Sequence, residues 1–221
     1  LSTYDMNDAV KEARRCAEEL GFRAVFLRAV PLVDHQWQDD YYEPLWSALE
    51  DLNLAVGLHE STGTGARQVG RRLEPNLMLR RVYAQPFEQM MALGGFCAGG
   101  ILARHPKLRV AFLEANCSWL PWLLWRLDET WELEGDVWAP DLKQKPSEYF
   151  KRQCVVSIEP DEITATNIVE QFGSGHLVFS TDYPHGDSKY PEAVNHFLKL
   201  PITDEQKRKI LWDNCAAYYA M

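Results

Sequence analysis

The sequence lacks any apolar run of about 18 residues, the length that crosses a bilayer as a helix, and its first residues, Leu1 to Glu12, are polar. Neither a membrane span nor a signal peptide is expected. Basic residues are in deficit, with 23 Lys and Arg against 32 Asp and Glu and a net charge of -9. Such a surface repels phosphate backbones and offers no long-range attraction to anionic lipid, which argues against nucleic acid and membrane as partners. A small-molecule substrate remains, and even an anionic one can bind at a local cation, because total charge says nothing of a single pocket.

No Cys-x-x-Cys pair occurs, and the five cysteines, Cys16, Cys97, Cys117, Cys154 and Cys215, are odd in number and widely spaced. They read as reduced, mostly buried thiols of a cytoplasmic protein rather than a disulfide framework. No fixed-period repeat, low-complexity tract or linker divides the chain, so residues 1–221 are expected to form a single domain.

A hydrophobic content of 46% over 221 residues is enough for a full-sized core and fits one large domain or part of a barrel of about 250 residues. Apolar residues at helical spacing predict a helix over Met6 to Leu20, ended by Gly21, and another over Tyr41 to Asn53. Arg23 to Val30 and Leu54 to His59 read as short buried strands, and the long Gly- and Arg-containing segment Ser61 to Asn76 as a loop. The alternation then continues with a helix over Phe87 to Arg104, a strand over Leu108 to Glu114 and a Trp-rich helix over Trp119 to Glu132. Val155 to Ile158 and Leu177 to Ser180 complete the strands, separated by a helix over Glu162 to Phe172 and followed by helices over Pro191 to Leu198 and Asp204 to Tyr219. Five strands alternating with helices predict an α/β class with a parallel sheet.

In a parallel barrel the working side chains project from the C-terminal ends of the strands. Those ends carry His59 and Glu60, Glu114, Glu159 with Asp161 and Glu162, and Asp182 followed by Tyr183, Pro184 and His185. An imidazole and carboxylates converging on one point suit a divalent metal, which activates a bound water or polarises a substrate. His59 and Asp182 supply two candidate ligands, one short of the usual three protein ligands of a catalytic site. Bland readings stand beside these: His59 as a hydrogen-bonded structural residue, Glu114 as a partner of Arg109 or Arg126, and Asp182 as a turn cap. The tryptophans 119, 122, 125 and 131 read as core or subunit interface, and His35, His105, His176 and His196 receive no role.

The segment Phe179-Ser180-Thr181-Asp182-Tyr183-Pro184-His185 resembles the amidohydrolase-related family that includes the aminocarboxymuconate-semialdehyde and resorcylate-type decarboxylases. The likeness takes in Val56 to Glu60, Gly99 to Ile101, His105 to Glu114, Trp119 to Trp122, Arg126 to Glu129 and Lys209 to Asn214, in the family's order and over nearly the whole chain. It implies a TIM (β/α)8-barrel with one divalent metal at its C-terminal face, His59 being the ligand on barrel strand five and Asp182 the ligand and proton relay on strand eight. Glu114 and His185 would orient or protonate the substrate. Zinc is the expected ion, although manganese suits the same ligands.

Two departures accompany the resemblance. The family's first strand ends in a His-x-His or Glu-x-His pair of ligands, and none precedes the first strand here, so about five βα units, barrel strands four to eight, are expected. The strand-six position that is a His in the best-known decarboxylases is Glu114, so general-acid chemistry there would need a raised carboxyl pKa. An open five-stranded sheet also leaves edges and an inner face to cover, by further chain or by a partner in a homo-oligomer. The expected activity is a metal-dependent hydrolase or non-oxidative decarboxylase acting on a small carboxylate-bearing or cyclic substrate, with Arg67, Arg71 and Arg72 as candidate carboxylate contacts. The alternative is a truncated family member that folds but does not turn over.

Overall fold

The structure, a computed structural model, describes residues 1–59, 69, 73 and 76–221. Arg67, Arg71 and Arg72 lie outside the described residues, and so does Glu60.

Among the described residues five parallel strands pair in sequence order: β1 (Ala24–Arg28), β2 (Ala55–His59), β3 (Val110–Phe112), β4 (Cys154–Ile158) and β5 (Leu177–Phe179). Parallel neighbours need crossovers, and helices supply them. α1 (Met6–Glu18) precedes the sheet and α2 (Glu43–Asp51) joins β1 to β2. α3 (Leu77–Cys97) and α4 (Ile101–Arg104) lead to β3, α5 (Leu120–Trp138) and α6 (Pro146–Gln153) to β4, and α7 (Ala165–Phe172) to β5. α8 (Ala193–Leu198) and α9 (Asp204–Arg208) follow, continued by a π-helical turn at Lys209–Asp213 and by α10 (Asn214–Tyr218).

The strand alternation sorts side chains into two layers. Val25, Leu27, Val56, Leu58, Val110, Phe112, Val156 and Leu177 face the helices, and they join Trp46, Phe96 and Phe150 in the main core. The opposite face carries Ala55, Ala111, Val155 and Val178, small enough for Tyr218 of α10 to fold against them. Gly57 belongs to that face, and a Cβ there would come 3.2 Å from Leu113 and 3.7 Å from the Tyr218 hydroxyl. Arg109 ties α10 down, its guanidinium donating to the Tyr218 carbonyl at 2.8 Å and to Asn53. Asn214 does the same at β5, donating to the Ser174 and Leu177 carbonyls. The sheet does not close among the described residues, and Phe26, on the inner face of edge strand β1, remains 52% exposed.

Several helix boundaries differ from expectation. α3 begins at Leu77, capped by the Asn76 side chain, and runs through Pro86, because one face carrying Ala84, Glu88, Gln89, Ala92 and Leu93 is buried. Tertiary packing there outweighs the proline's cost. The expected single helix to Arg104 is interrupted at Gly99 and Gly100: Gly100 is left-handed, and a side chain on Gly99 would collide with Gln38. α7 starts at Ala165 rather than Glu162, whose carboxylate is engaged elsewhere. α6 was not expected, although its buried residues Pro146, Tyr149, Phe150 and Gln153 fall at helical spacing. Of the tryptophans, Trp119 is buried in the core, whereas Trp122 and Trp125 are more than half exposed on α5.

Candidate metal centre

All five strands deliver their last residues to one end of the sheet. His59 closes β2, in register with Arg28 of β1, and its ring lies 5.4 Å from that of Phe26. Beyond β3 comes Leu113, packed into the inner cluster, and then Glu114, where the backbone turns left-handed at a φ of 57°. Asp182 follows β5 through Ser180 and Thr181 and is likewise left-handed, at a φ of 56°. Non-glycine residues rarely adopt this region, and such strain gathers at functional sites.

The strained turns bring together the four residues singled out from the sequence. His59 Nε2 lies 2.5 Å from Glu114 Oε2, and His185 Nδ1 lies 3.5 Å from Glu114 Oε1 and 2.8 Å from Asp182 Oδ1. Glu114 is 19% exposed, Asp182 24%, His59 34% and His185 56%, so the cluster deepens from a wet mouth at His185 to a half-buried floor at Glu114. Neither bland reading of the acids describes them fully: Arg109 is engaged with Asn53 and Tyr218, and Asp182 makes its turn with its carbonyl, which accepts from the His185 amide, while its carboxylate faces the imidazole.

Chemically the set fits a divalent cation. Glu114, Asp182 and His185 each offer one donor atom, and these atoms lie within 4.8 Å of one another; His59 joins through Glu114. Glu114 Oε2 is buried, and the contact within reach of it is the His59 Nε2 at 2.5 Å. Glu159, just past β4, adds a further carboxyl. Burial, and then repulsion from Asp182, Glu162, Glu114 and Asp161, pushes its pKa up to about 6. A half-buried acidic site of this kind gains from a bound cation, and mixed oxygen and nitrogen donors suit zinc or manganese.

Three residues form a supporting shell: Glu162, named from the sequence among the strand-end acids, and Gln89 and Ser157, which were not expected. Glu162 accepts from the backbone amides of Cys117 and Ser118, each at 3.0 Å, and from that of Glu159, so it staples the segment after β3 to the one after β4. Gln89 of α3 and Ser157 of β4 hold the backbone on either side of the Leu113–Glu114 peptide bond. A lone Gln on a helix and a lone Ser in a strand give no signal in sequence. Of the other imidazoles, buried His105 bridges Glu43 and Glu50, and His176 binds the Cys154 carbonyl, burial lowering its pKa. All five cysteines are free, and burial raises the pKa of the Cys117 and Cys154 thiols. No described helix is long and apolar enough to cross a membrane.

Comparisons with known proteins give the chain its family and fold. The family model described as Amidohydrolase matches residues 2–220. The chain is 26% identical to a 2-amino-3-carboxymuconate-6-semialdehyde decarboxylase of Dictyostelium discoideum over 176 residues, 80% of this chain and 47% of that protein. It is 26% identical to the gamma-resorcylate decarboxylase of Rhodococcus jostii over 236 aligned residues, all of this chain and 69% of that one. It therefore spans about half the length of the first relative and about two thirds of the second. Among solved structures, a 5-carboxyvanillate decarboxylase from Sphingomonas paucimobilis superposes with a TM-score of 0.85 at 22% identity, covering 100% of this chain and 65% of that one. A dihydroxybenzoic acid decarboxylase from Polaromonas with bound manganese gives 0.77 at 20% identity, covering 98% and 66%. These structural likenesses establish the barrel-type fold, of which the five strands here are consecutive members. With the family model spanning residues 2–220, the chain belongs to the amidohydrolase family.

Proposed function

We propose that this chain carries the working face of a divalent-metal-dependent non-oxidative decarboxylase acting on a small aromatic or cyclic carboxylate. The observation that carries the reading is the convergence of Glu114, Asp182 and His185 at one sheet end, with His59 against Glu114. The decarboxylases among the relatives support the reaction, and the manganese of the Polaromonas structure supports the ion class. Glu114 stands where the best-known decarboxylases have a His, and the decarboxylases among the relatives outweigh that departure. The cation is zinc or manganese.

Each residue then has a task. Glu114 and Asp182 would hold the cation, and His59 would supply the nitrogen donor that the family resemblance implies. The bound ion contributes Lewis acidity towards a substrate oxygen. His185, the most exposed of the four, meets the incoming molecule. Decarboxylation breaks the bond between ring and carboxylate, CO2 leaves, and the ring carbon takes up one proton. The contact of His185 Nδ1 with Asp182 Oδ1 positions that imidazole to deliver the proton. A cavity of about 260 Å3 lined by Ala29, Pro31, Val33, Trp37 and Met91 follows β1, and none of His59, Glu114, Asp182 and His185 lines it.

The test is release of CO2 from a panel of hydroxybenzoates by the 221-residue chain loaded with Mn²⁺ or Zn²⁺. Turnover abolished by Asp182→Asn and reduced at least tenfold by His185→Ala is expected, as for loss of a positioned proton donor. Metal uptake without turnover on any carboxylate would leave the folded, inactive family member as the reading.

A further inference from the structure

The Leu113–Glu114 peptide unit is held at both ends by side chains from different elements. Its carbonyl, on Leu113, accepts from Gln89 Nε2 at 2.9 Å, and its amide, on Glu114, donates to Ser157 Oγ at 2.8 Å. Gln89 is fully buried on α3, and the same Nε2 also donates to the Leu58 carbonyl at 2.8 Å. Leu58 and Leu113 immediately precede His59 and Glu114. One amide group therefore ties together the backbone leading into two site residues on adjacent strands, and Ser157, 6% exposed, adds the third strand.

Physical necessity explains part of this. β3 ends at Phe112, so the Leu113 carbonyl and the Glu114 amide leave the ladder while still part-buried, and buried backbone groups must find partners. A generic partner would meet that need. Here the partners also fix the peptide plane next to a left-handed φ of 57°, a conformation that persists only where surrounding contacts determine it. Turned that way, Glu114 interrupts the strand alternation and places its carboxylate between His59 and His185 rather than against the helices.

We propose that Gln89 and Ser157 form a clamp that positions Glu114 for cation binding, a role that rests on the metal-site reading above. They are positioning residues and touch neither ion nor substrate. Gln153 provides an internal control: its Nε2 makes an equivalent pair of buried bonds, to the His105 and Leu108 carbonyls at 2.7 and 2.8 Å, before β4 begins and so at the other end of the sheet.

The test compares Gln89→Met, Ser157→Ala, Ser157→Thr and Gln153→Met in the 221-residue chain. Amide hydrogen exchange at Glu114 is followed by NMR without metal, and Mn²⁺ affinity by titration. Gln89→Met and Ser157→Ala are expected to accelerate Glu114 exchange and to weaken Mn²⁺ binding about 10- to 100-fold, the usual effect of losing an outer-shell partner. Ser157→Thr, which keeps the hydroxyl, restores both, whereas Gln153→Met lowers the unfolding temperature and changes neither. If Gln89→Met and Ser157→Ala match Gln153→Met in exchange and affinity, the clamp is wrong. If the parent binds no Mn²⁺ yet Glu114 exchange responds as expected, the clamp stands and the metal-site reading fails.

Discussion

Glu114 and Asp182 lie just past the ends of different strands, yet both adopt left-handed backbone and both turn their carboxylates on one imidazole, His185 Nδ1 lying 3.5 Å from the first and 2.8 Å from the second. Two strained acids aimed at the same point indicate a site whose geometry is maintained against local preference. Stability and function are therefore expected to oppose each other here.

Glu114→Gly makes that opposition measurable. Glycine takes positive φ without the Cβ clash, which costs other residues roughly 1–2 kcal/mol, and the change also removes a half-buried charge from an acidic cluster. Urea unfolding in the presence of chelator is expected to show the variant about 1 kcal/mol more stable than the parent, although its metal binding is lost. A less stable variant would mean that Glu114 contributes to folding through its imidazole contacts.

Glu159 sets a pH dependence of the metal-free chain. Its pKa is raised from 4.5 to about 6, chiefly by burial, so the folded state binds the proton more tightly than the unfolded chain does. Stability from this group is then full below pH 4.5 and declines as pH rises through about 6. In chelator, Glu159→Gln should flatten that decline, giving a smaller difference between unfolding midpoints at pH 5 and pH 7. An identical pH profile in the variant would remove Glu159 from the electrostatics of the site.

His105 belongs to structure rather than chemistry. Its ring bridges Glu43 at 2.7 Å and Glu50 at 3.3 Å, Glu43 also receives Arg104, and Glu50 also accepts the Lys107 amide, which ties α2 to the segment before β3. His105→Leu leaves two part-buried carboxylates short of a partner and is expected to cost about 1–3 kcal/mol in denaturant unfolding. Metal content per folded chain should not change.

Much of this arrangement was legible in the sequence, for identifiable reasons. Short apolar runs such as Leu54 to His59 and Val155 to Ile158, alternating with helices, read as buried parallel strands, and parallel strands end at one face, which grouped His59, Glu114, Asp182 and His185 with Glu60, Glu159, Asp161 and Glu162. Helix limits were less legible, because α3 passes through Pro86 and breaks at Gly99 and Gly100 for tertiary reasons, burial of one face and the approach of Gln38. Of the supporting shell, the sequence reading named Glu162 among the strand-end acids and missed Gln89 and Ser157. Gln89, Ser157 and Glu162 act through backbone groups distant in sequence, and Glu162 looked like the first turn of a helix when its carboxylate in fact holds the Cys117 and Ser118 amides.

Metal content per chain tests the central claim most directly, measured by elemental analysis of the purified protein after Mn²⁺ or Zn²⁺ loading and dialysis, with Glu114→Ala, Asp182→Ala and His105→Leu alongside. The site described here predicts about one divalent ion per parent chain, retained in His105→Leu and lost in both acidic-residue variants. A parent chain without metal, or one whose ion survives both Glu114→Ala and Asp182→Ala, would contradict it.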